Sequence, residues 1–179
     1  ENMVITTDLL IEDIHFLKDK ISPEHLGYKS LAVNLSDIAA MGAEPVGSFL
    51  SIGIPGDTNV EYIDAFMKGY HRLSAAYDVP LLGGDTTRSG KKLVINVVVI
   101  GKCRKGNALL RSAAQTNDIV CVTGYLGDSA AGLEVILKSL IETDEHMQLI
   151  NSHYLPEPQL KEGQWLANRP GVHAMMDVS

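Results

Sequence analysis

Apolar residues recur along this chain with two different periods, and the switches between them mark its elements. Residues 3–10 are an apolar, β-branched run suited to a strand, and a second extended piece is expected over residues 14–17. A helix follows. Ser22 can cap it, Pro23 occupies a first helical position where its missing N–H does no harm, and Leu26, Val33, Ile38 and Met41 keep helical spacing until Gly42. Pro45 opposes any resumption. Residues 48–54 read as a strand closed by Pro55 and Gly56, after which Thr58 and Glu61 have the spacing of a capping box. The helix so capped runs through Ile63, Phe66, Tyr70 and Leu73 to about Tyr77. Residues 79–82 and 93–100 are further strands, the latter interrupted by Asn96. The first half therefore reads β-β-α-β-α-β-β, an α/β layer architecture.

Between residues 101 and 118 the period lapses and Lys102, Arg104, Lys105 and Arg111 gather, as in a connector between domains. Two units are expected, residues 1–113 and residues 114–179. The second opens with a strand at 119–123, a turn at 124–127 and a helix capped by Asp128 that holds Ser129, Ala130, Ala131 and Gly132 before Leu133, Ile136 and Leu137. A short helix over 145–150, a break at Pro156 and Pro158, a helix over 159–167 and a last strand over 172–178 complete the pattern. No internal repeat or low-complexity stretch is visible.

Composition narrows the possibilities. A chain of 179 residues that is 45% hydrophobic can bury a core. Its longest apolar stretch, residues 93–100, falls far short of the roughly 20 residues that cross a bilayer, so no membrane span is expected. The formal charge of −7 argues against a general grip on nucleic acid, and it means that a phosphate ligand would need bridging cations. Cys103 and Cys121 are too few and too far apart for a disulfide scaffold or a zinc clip, which suits a reduced, cytoplasmic protein. The chain starts at Glu1 without a leader-like pattern and stops just after an apolar run, and it is expected to be trimmed at both ends.

Four aspartates lie where apolar elements ordinarily avoid charge: Asp8, Asp37, Asp85 and Asp177. A carboxylate buried without a partner is costly, so each calls for a donor, a cation or a metal. Carboxylates with hydroxyls nearby, and no cluster of His or Cys, favour magnesium, calcium or manganese. Bland readings remain open: Asp85 as a turn residue after Gly83 and Gly84, Asp8 as a cap or lysine partner, Asp177 as a strand-end residue. Asp37 is harder to dismiss, because Ser30, Asn34 and Asp37 form a polar stripe on an otherwise apolar helix. Gly83 and Gly84 permit close approach of a ligand to the backbone, while Gly124 and Gly127 suit either tight packing or an anion beside a helix start. Neither a Walker A loop nor a Rossmann fingerprint is present. His15, beside Phe16 and just after Glu12 and Asp13, is the one histidine in a suggestive setting, with a surface or core role as the default, and Arg111 is the candidate for a phosphate contact, with a solvated linker charge as the alternative. The residues by themselves point to a metal-dependent, phosphate-handling enzyme.

Several segments, in order and spacing, resemble thiamine-monophosphate kinases: Thr6-Thr7-Asp8, His15-Phe16, the block from Ala32 through Asn34, Ser36 and Asp37 to Ala43, Gly83-Gly84-Asp85-Thr86-Thr87, Gly127-Asp128-Ser129-Ala130-Ala131-Gly132 and Met176-Asp177-Val178-Ser179. The resemblance implies an α/β (α+β) mixed-sheet domain of the aminoimidazole ribonucleotide synthetase-like fold, followed by the start of a second α/β domain. It implies transfer of the ATP γ-phosphoryl group to thiamine monophosphate, magnesium held by Thr6, Thr7, Asp8, Asp37, Asp85 and Asp177, ATP contacts from Gly84, Asp85, Arg111 and Ser179, and a substrate contact from His15. It also implies a homodimer joined through the sheets of the first domains, with ATP near that interface. Another ATP-using member of the superfamily, or an inactive nucleotide-binding or dimerisation fragment, are the alternatives. A shared metal cluster requires Asp8, Asp37 and Asp85 to face one cleft within about 10 Å, with Arg111 at its rim.

Overall fold

The computed structural model of the chain describes residues 1–141 and 143–178. Four strands, β1 (Asn2–Ile11), β2 (Glu44–Ile54), β3 (Leu81–Arg88) and β4 (Val94–Cys103), form one mixed sheet in the order β1-β4-β2-β3. β1 and β2 both run antiparallel to β4, and β2 is parallel to β3. The parallel pair is joined by a crossover helix, as two adjacent parallel strands require. The expected α/β class with a mixed sheet is the one observed.

Helix α1 (Pro23–Ala40) begins as its sequence predicts, with the Ser22 hydroxyl accepting the His25 N–H at 3.1 Å and Pro23 in the first turn. Helix α2 (Val60–Ala76) starts differently. Asn59, not Thr58, is its cap: the Asn59 side chain accepts the Tyr62 N–H at 2.9 Å, so no capping box forms with Glu61. Both helices cover one face of the sheet. Ile95, Val97 and Val99 of β4 turn to that face, are fully buried and meet Leu26, Leu31, Leu35 and Ile38 of α1 and Phe66, Tyr70 and Leu73 of α2. The other face is open, leaving Met3, Ile5 and Leu9 of β1 exposed.

Several expected elements are absent or displaced. Residues 14–17 form a turn with a single bridge between Glu12 and Phe16, not an extended piece. Gly83, Gly84 and Asp85, read from sequence as a turn, are inside β3. Residues 119–123 and 172–178 are not strands. Ile119 and Val120 are 88% and 91% exposed, and neither segment finds a neighbouring strand among the described residues; an apolar run without a ladder partner cannot hold extended pairing. Asp128 lies within the first turn of α3 (Asp128–Lys138), whose cap is Gly127.

Helices α4 (Asp144–Tyr154) and α5 (Leu160–Ala167) pack back on the first half. Tyr154 and Leu160 belong to the same apolar core as the sheet, and Tyr154 Oη donates to the Lys20 carbonyl at 2.7 Å. No helix of the described residues is long and apolar enough to cross a membrane.

Candidate functional site

Strand alternation sorts the Thr6-Thr7-Asp8 run on β1. Thr6 pairs with Val99 and Asp8 with Val97, both buried positions, so Thr6 and Asp8 turn to the helix-covered face. Thr7 turns to the open face, where Asn96 Nδ2 donates to Thr7 Oγ1 at 2.9 Å and to the Asp8 carbonyl at 3.1 Å. The three residues expected to act together are therefore split between two faces. Asn96 went unassigned in the sequence, although its signal was there: it is the polar residue that interrupts an apolar strand.

Asp37, in the last turn of α1, comes down on the same side as Thr6, whose hydroxyl donates to Asp37 Oδ2. Burial pushes the Asp37 carboxyl above its ordinary range; the Thr6 hydrogen bond opposes this, and the carboxylates of Asp177 and Asp8 add to it. Asp8 is raised too, first by burial and then by Asp177, with His15 opposing. Asp8, Asp37 and Asp177 thus form one mutually repelling group with Thr6 bonded into it. Such a group lacks positive charge. Among the described residues no three acidic, His or Cys side chains close into a ready cage. Magnesium keeps several waters and shares phosphate oxygens, so these residues would supply part of its shell and not a complete cage. The donor set, oxygen only, fits the ion.

Asp85 does not join this group. Its register row is Leu9, Asn96, Ser51 and Asp85, one step from the row of Asp8, Val97, Leu50 and Gly84, and successive rows face opposite sides. β3 is three strands from β1, about 14 Å at roughly 4.8 Å per strand. The expected convergence of Asp8, Asp37 and Asp85 in one cleft is not met within a single chain. Asp85 is also exposed, so the burial argument holds for Asp8 and Asp37 only.

Gly84 has φ 151°, and a Cβ there would overlap the Leu50 carbonyl oxygen, so only glycine fits this point of β3. Beside it a groove of about 430 Å³ has an apolar wall of Ile52, Ile54, Ile63, Met67 and Leu81, with Asp85 and Thr86 of β3 also lining it. His15 is exposed, and its Nδ1 accepts the Ile11 N–H at 3.0 Å, which leaves Nε2–H free to donate outward. Arg111 opens a single 3-10 turn, Arg111–Ala113, is exposed and makes no ion pair among the described residues. Asp177 lies among the described residues; Ser179 lies outside them.

A second polar cluster was not foreseen. Lys29 Nζ of α1 donates to His153 Nε2 of α4 at 3.2 Å, and His153 Nδ1 meets Ser129 Oγ of α3 at 3.1 Å. Burial lowers Lys29 to about 8, and burial followed by the Lys29 charge lowers His153 to about 4. The imidazole is neutral near pH 7, and because Nε2 accepts from Lys29, Nδ1 carries the proton and donates to Ser129.

The family profile described as AIR synthase related protein, N-terminal domain, matches residues 1–103. The chain is 44% identical to the thiamine-monophosphate kinase of Bacillus subtilis over 167 residues, covering 90% of this chain and 50% of that protein. It is 40% identical to the Escherichia coli K12 thiamine-monophosphate kinase over 181 residues, 54% of that protein. The chain spans about half the length of the curated relatives it matches. Among solved structures, thiamine monophosphate kinase from Aquifex aeolicus superposes with a TM-score of 0.87 at 32% identity, over 95% of this chain and 57% of that one. The structure of AaThiL complexed with AMPPCP and TMP superposes at 0.91 and 33%, over 99% and 56%. Escherichia coli HypE, a hydrogenase maturation protein, at 19% identity and 0.77, shares the fold.

Proposed function

Because the chain belongs to the AIR synthase related protein family through residues 1–103, we propose that it is the nucleotide- and metal-binding portion of a thiamine-monophosphate kinase. The observation that carries this reading is the group of Thr6, Asp8, Asp37 and Asp177: oxygen donors drawn together from a strand, a helix and a distant segment, and repelling one another. Nothing in the fold core requires them to meet, and a divalent cation gives them a reason to.

In this reading Thr6, Asp8, Asp37 and Asp177 hold magnesium, which when bound neutralises the phosphates and brings donor and acceptor into line. The acceptor is already an anionic phosphate oxygen, so the protein has little proton to remove and the barrier is mainly one of positioning two anions. His15 serves that positioning by donating Nε2–H to the phosphate of thiamine monophosphate. Arg111 offers a planar fork to the nucleotide phosphates. The apolar groove beside Gly84 takes the base of ATP, with the glycine allowing the nucleotide close to the backbone.

Thr7 and Asp85 stand on the open face, where Met3, Ile5 and Leu9 are exposed as well. Pairing of two copies through their sheets covers that apolar surface and places Thr7 and Asp85 near the seam between them. The protein works in the cytoplasm, where Cys103 and Cys121, both free, stay reduced.

A second reading has its own support. In it the chain binds nucleotide and metal without completing the transfer, which the separation of Asp85 from Asp8 and Asp37 within one chain favours. Calorimetry with ATP and magnesium, run beside an assay for thiamine diphosphate from ATP and thiamine monophosphate, separates the two. Product formation establishes the kinase; magnesium-dependent ATP binding without product leaves the binding module; no binding and no product contradict both.

A further inference from the structure

Asp8 is fixed by a strand and Asp37 by a helix, but Asp177 arrives on residues 172–178, which form neither. Among the described residues that segment has few anchors. The Val172 N–H donates to the Arg169 carbonyl at 3.1 Å, which only turns the chain as it leaves α5. Asp177 itself reaches the Asp37 carboxyl, a contact between two acids that repel when both are ionised, and the segment's charge-complementary side-chain tie to another part of the molecule is His173 Nδ1 to Asp118 Oδ1, 2.8 Å.

Asp118 is itself well held. Its Oδ2 accepts the Gln115 N–H at 2.8 Å, its own N–H donates to the Gln115 carbonyl at 3.2 Å, and Asn117 takes a left-handed φ of 75° to close the turn. That turn follows directly on the 3-10 turn that Arg111 opens. Two successive turns therefore carry Arg111 and Asp118, and His173 grips the second of them. The two side chains are about a third exposed, at 32% and 31%, and an imidazole N–H to a carboxylate is a charge-assisted bond with defined direction.

We infer that Asp118 and His173 are a positioning pair, holding the Asp177 carboxylate at the divalent-cation site and tying it to the turns that begin at Arg111. His173 Nδ1 is taken up by Asp118, so the imidazole acts through Asp177, four residues further along the chain. Without the pair, Asp177 must be ordered by the ion itself, and affinity falls. Partners that orient a metal ligand typically change affinity by 10- to 100-fold. The inference rests on the reading of Asp8, Asp37 and Asp177 as a cation site.

The test is Mn2+ binding, followed by electron paramagnetic resonance, with thermal melts of the metal-free protein, on the full chain and its H173A, H173N and D37N variants. Asn places an amide nitrogen where His has Nδ1, so H173N keeps the donor to Asp118. We expect H173A to weaken Mn2+ binding about tenfold without lowering the metal-free melting temperature, and H173N to restore it. Wild-type affinity in H173A, with D37N impaired, overturns the positioning pair and leaves the site standing. Equal loss in H173A and H173N together with a lower melting temperature makes the pair structural and also overturns it. Unchanged binding in D37N removes the cation site, and the pair with it.

Discussion

Single residues show what local chemistry reveals and what it hides. Asp37 was legible because a carboxylate on an apolar helical stripe has no inexpensive explanation, and the structure places it against Thr6 and near Asp8. Lys29 was not legible: its sequence neighbours are ordinary, and its partner His153, itself bonded to Ser129, lies 124 positions away, so only folding joins them. The consequence is a pH dependence of definite sign. Below about 8 Lys29 is protonated in both states and its desolvation penalty is fully present. Between about 8 and 10.5 the unfolded chain binds the proton and the folded one does not, so stability rises with pH across that window. Lys29→Met is expected to flatten the rise in urea-unfolding free energy over this range and to let the His153 pKa climb from about 4 toward its ordinary 6.5, read by NMR titration. Burial, the larger cause, keeps it from returning fully. A K29M protein with the same slope and the same His153 titration contradicts this role.

Among elements, those set by local signals matched and those set by distant pairing did not. The Ser22–Pro23 start of α1 needs only its own first turn, and it is where the sequence places it. β3 was truncated because Gly83 and Gly84 look like a turn, yet its place is decided by parallel pairing to β2, which no local pattern records. The split of Thr6 from Thr7 was readable in principle, since it follows from the period of two along β1. The crossing of α1 and α2 depends on two glycines: a Cβ at Gly69 would overlap the Glu24 carbonyl oxygen, and one at Gly27 the Phe66 carbonyl oxygen. Both obstacles are backbone and cannot swing aside. Gly69→Ala is therefore expected to cost about 3 kcal/mol in urea denaturation, whereas Gly90→Ala, with open space around it, should be near neutral. Equal effects at the two positions contradict the close crossing.

At the scale of the whole molecule, one sheet face carries a core and the other an unfinished surface, and the candidate site straddles the two. Asp8, Asp37 and Asp177 gather on the covered side, while Thr7 and Asp85 stand on the open one. Sequence could name all of these residues, and alternation along β1 could part Thr7 from Asp8, but the side taken by Asp85 depends on a register carried from β1 through β4 and β2 to β3, which no local pattern records. The gathered carboxylates are central to the proposed function: on that reading they meet to hold magnesium for phosphoryl transfer and not to stabilise the fold. Thiamine diphosphate formation by wild type and Asp37→Asn, measured at several magnesium concentrations beside metal-free melts, tests this most directly. The substitution keeps the shape and removes a repelling charge, so the rate should fall by roughly 100-fold and the magnesium requirement should rise, while the metal-free melting temperature holds or increases. An Asp37→Asn protein with the wild-type rate and magnesium dependence, or one that loses activity only as it loses stability, would contradict it.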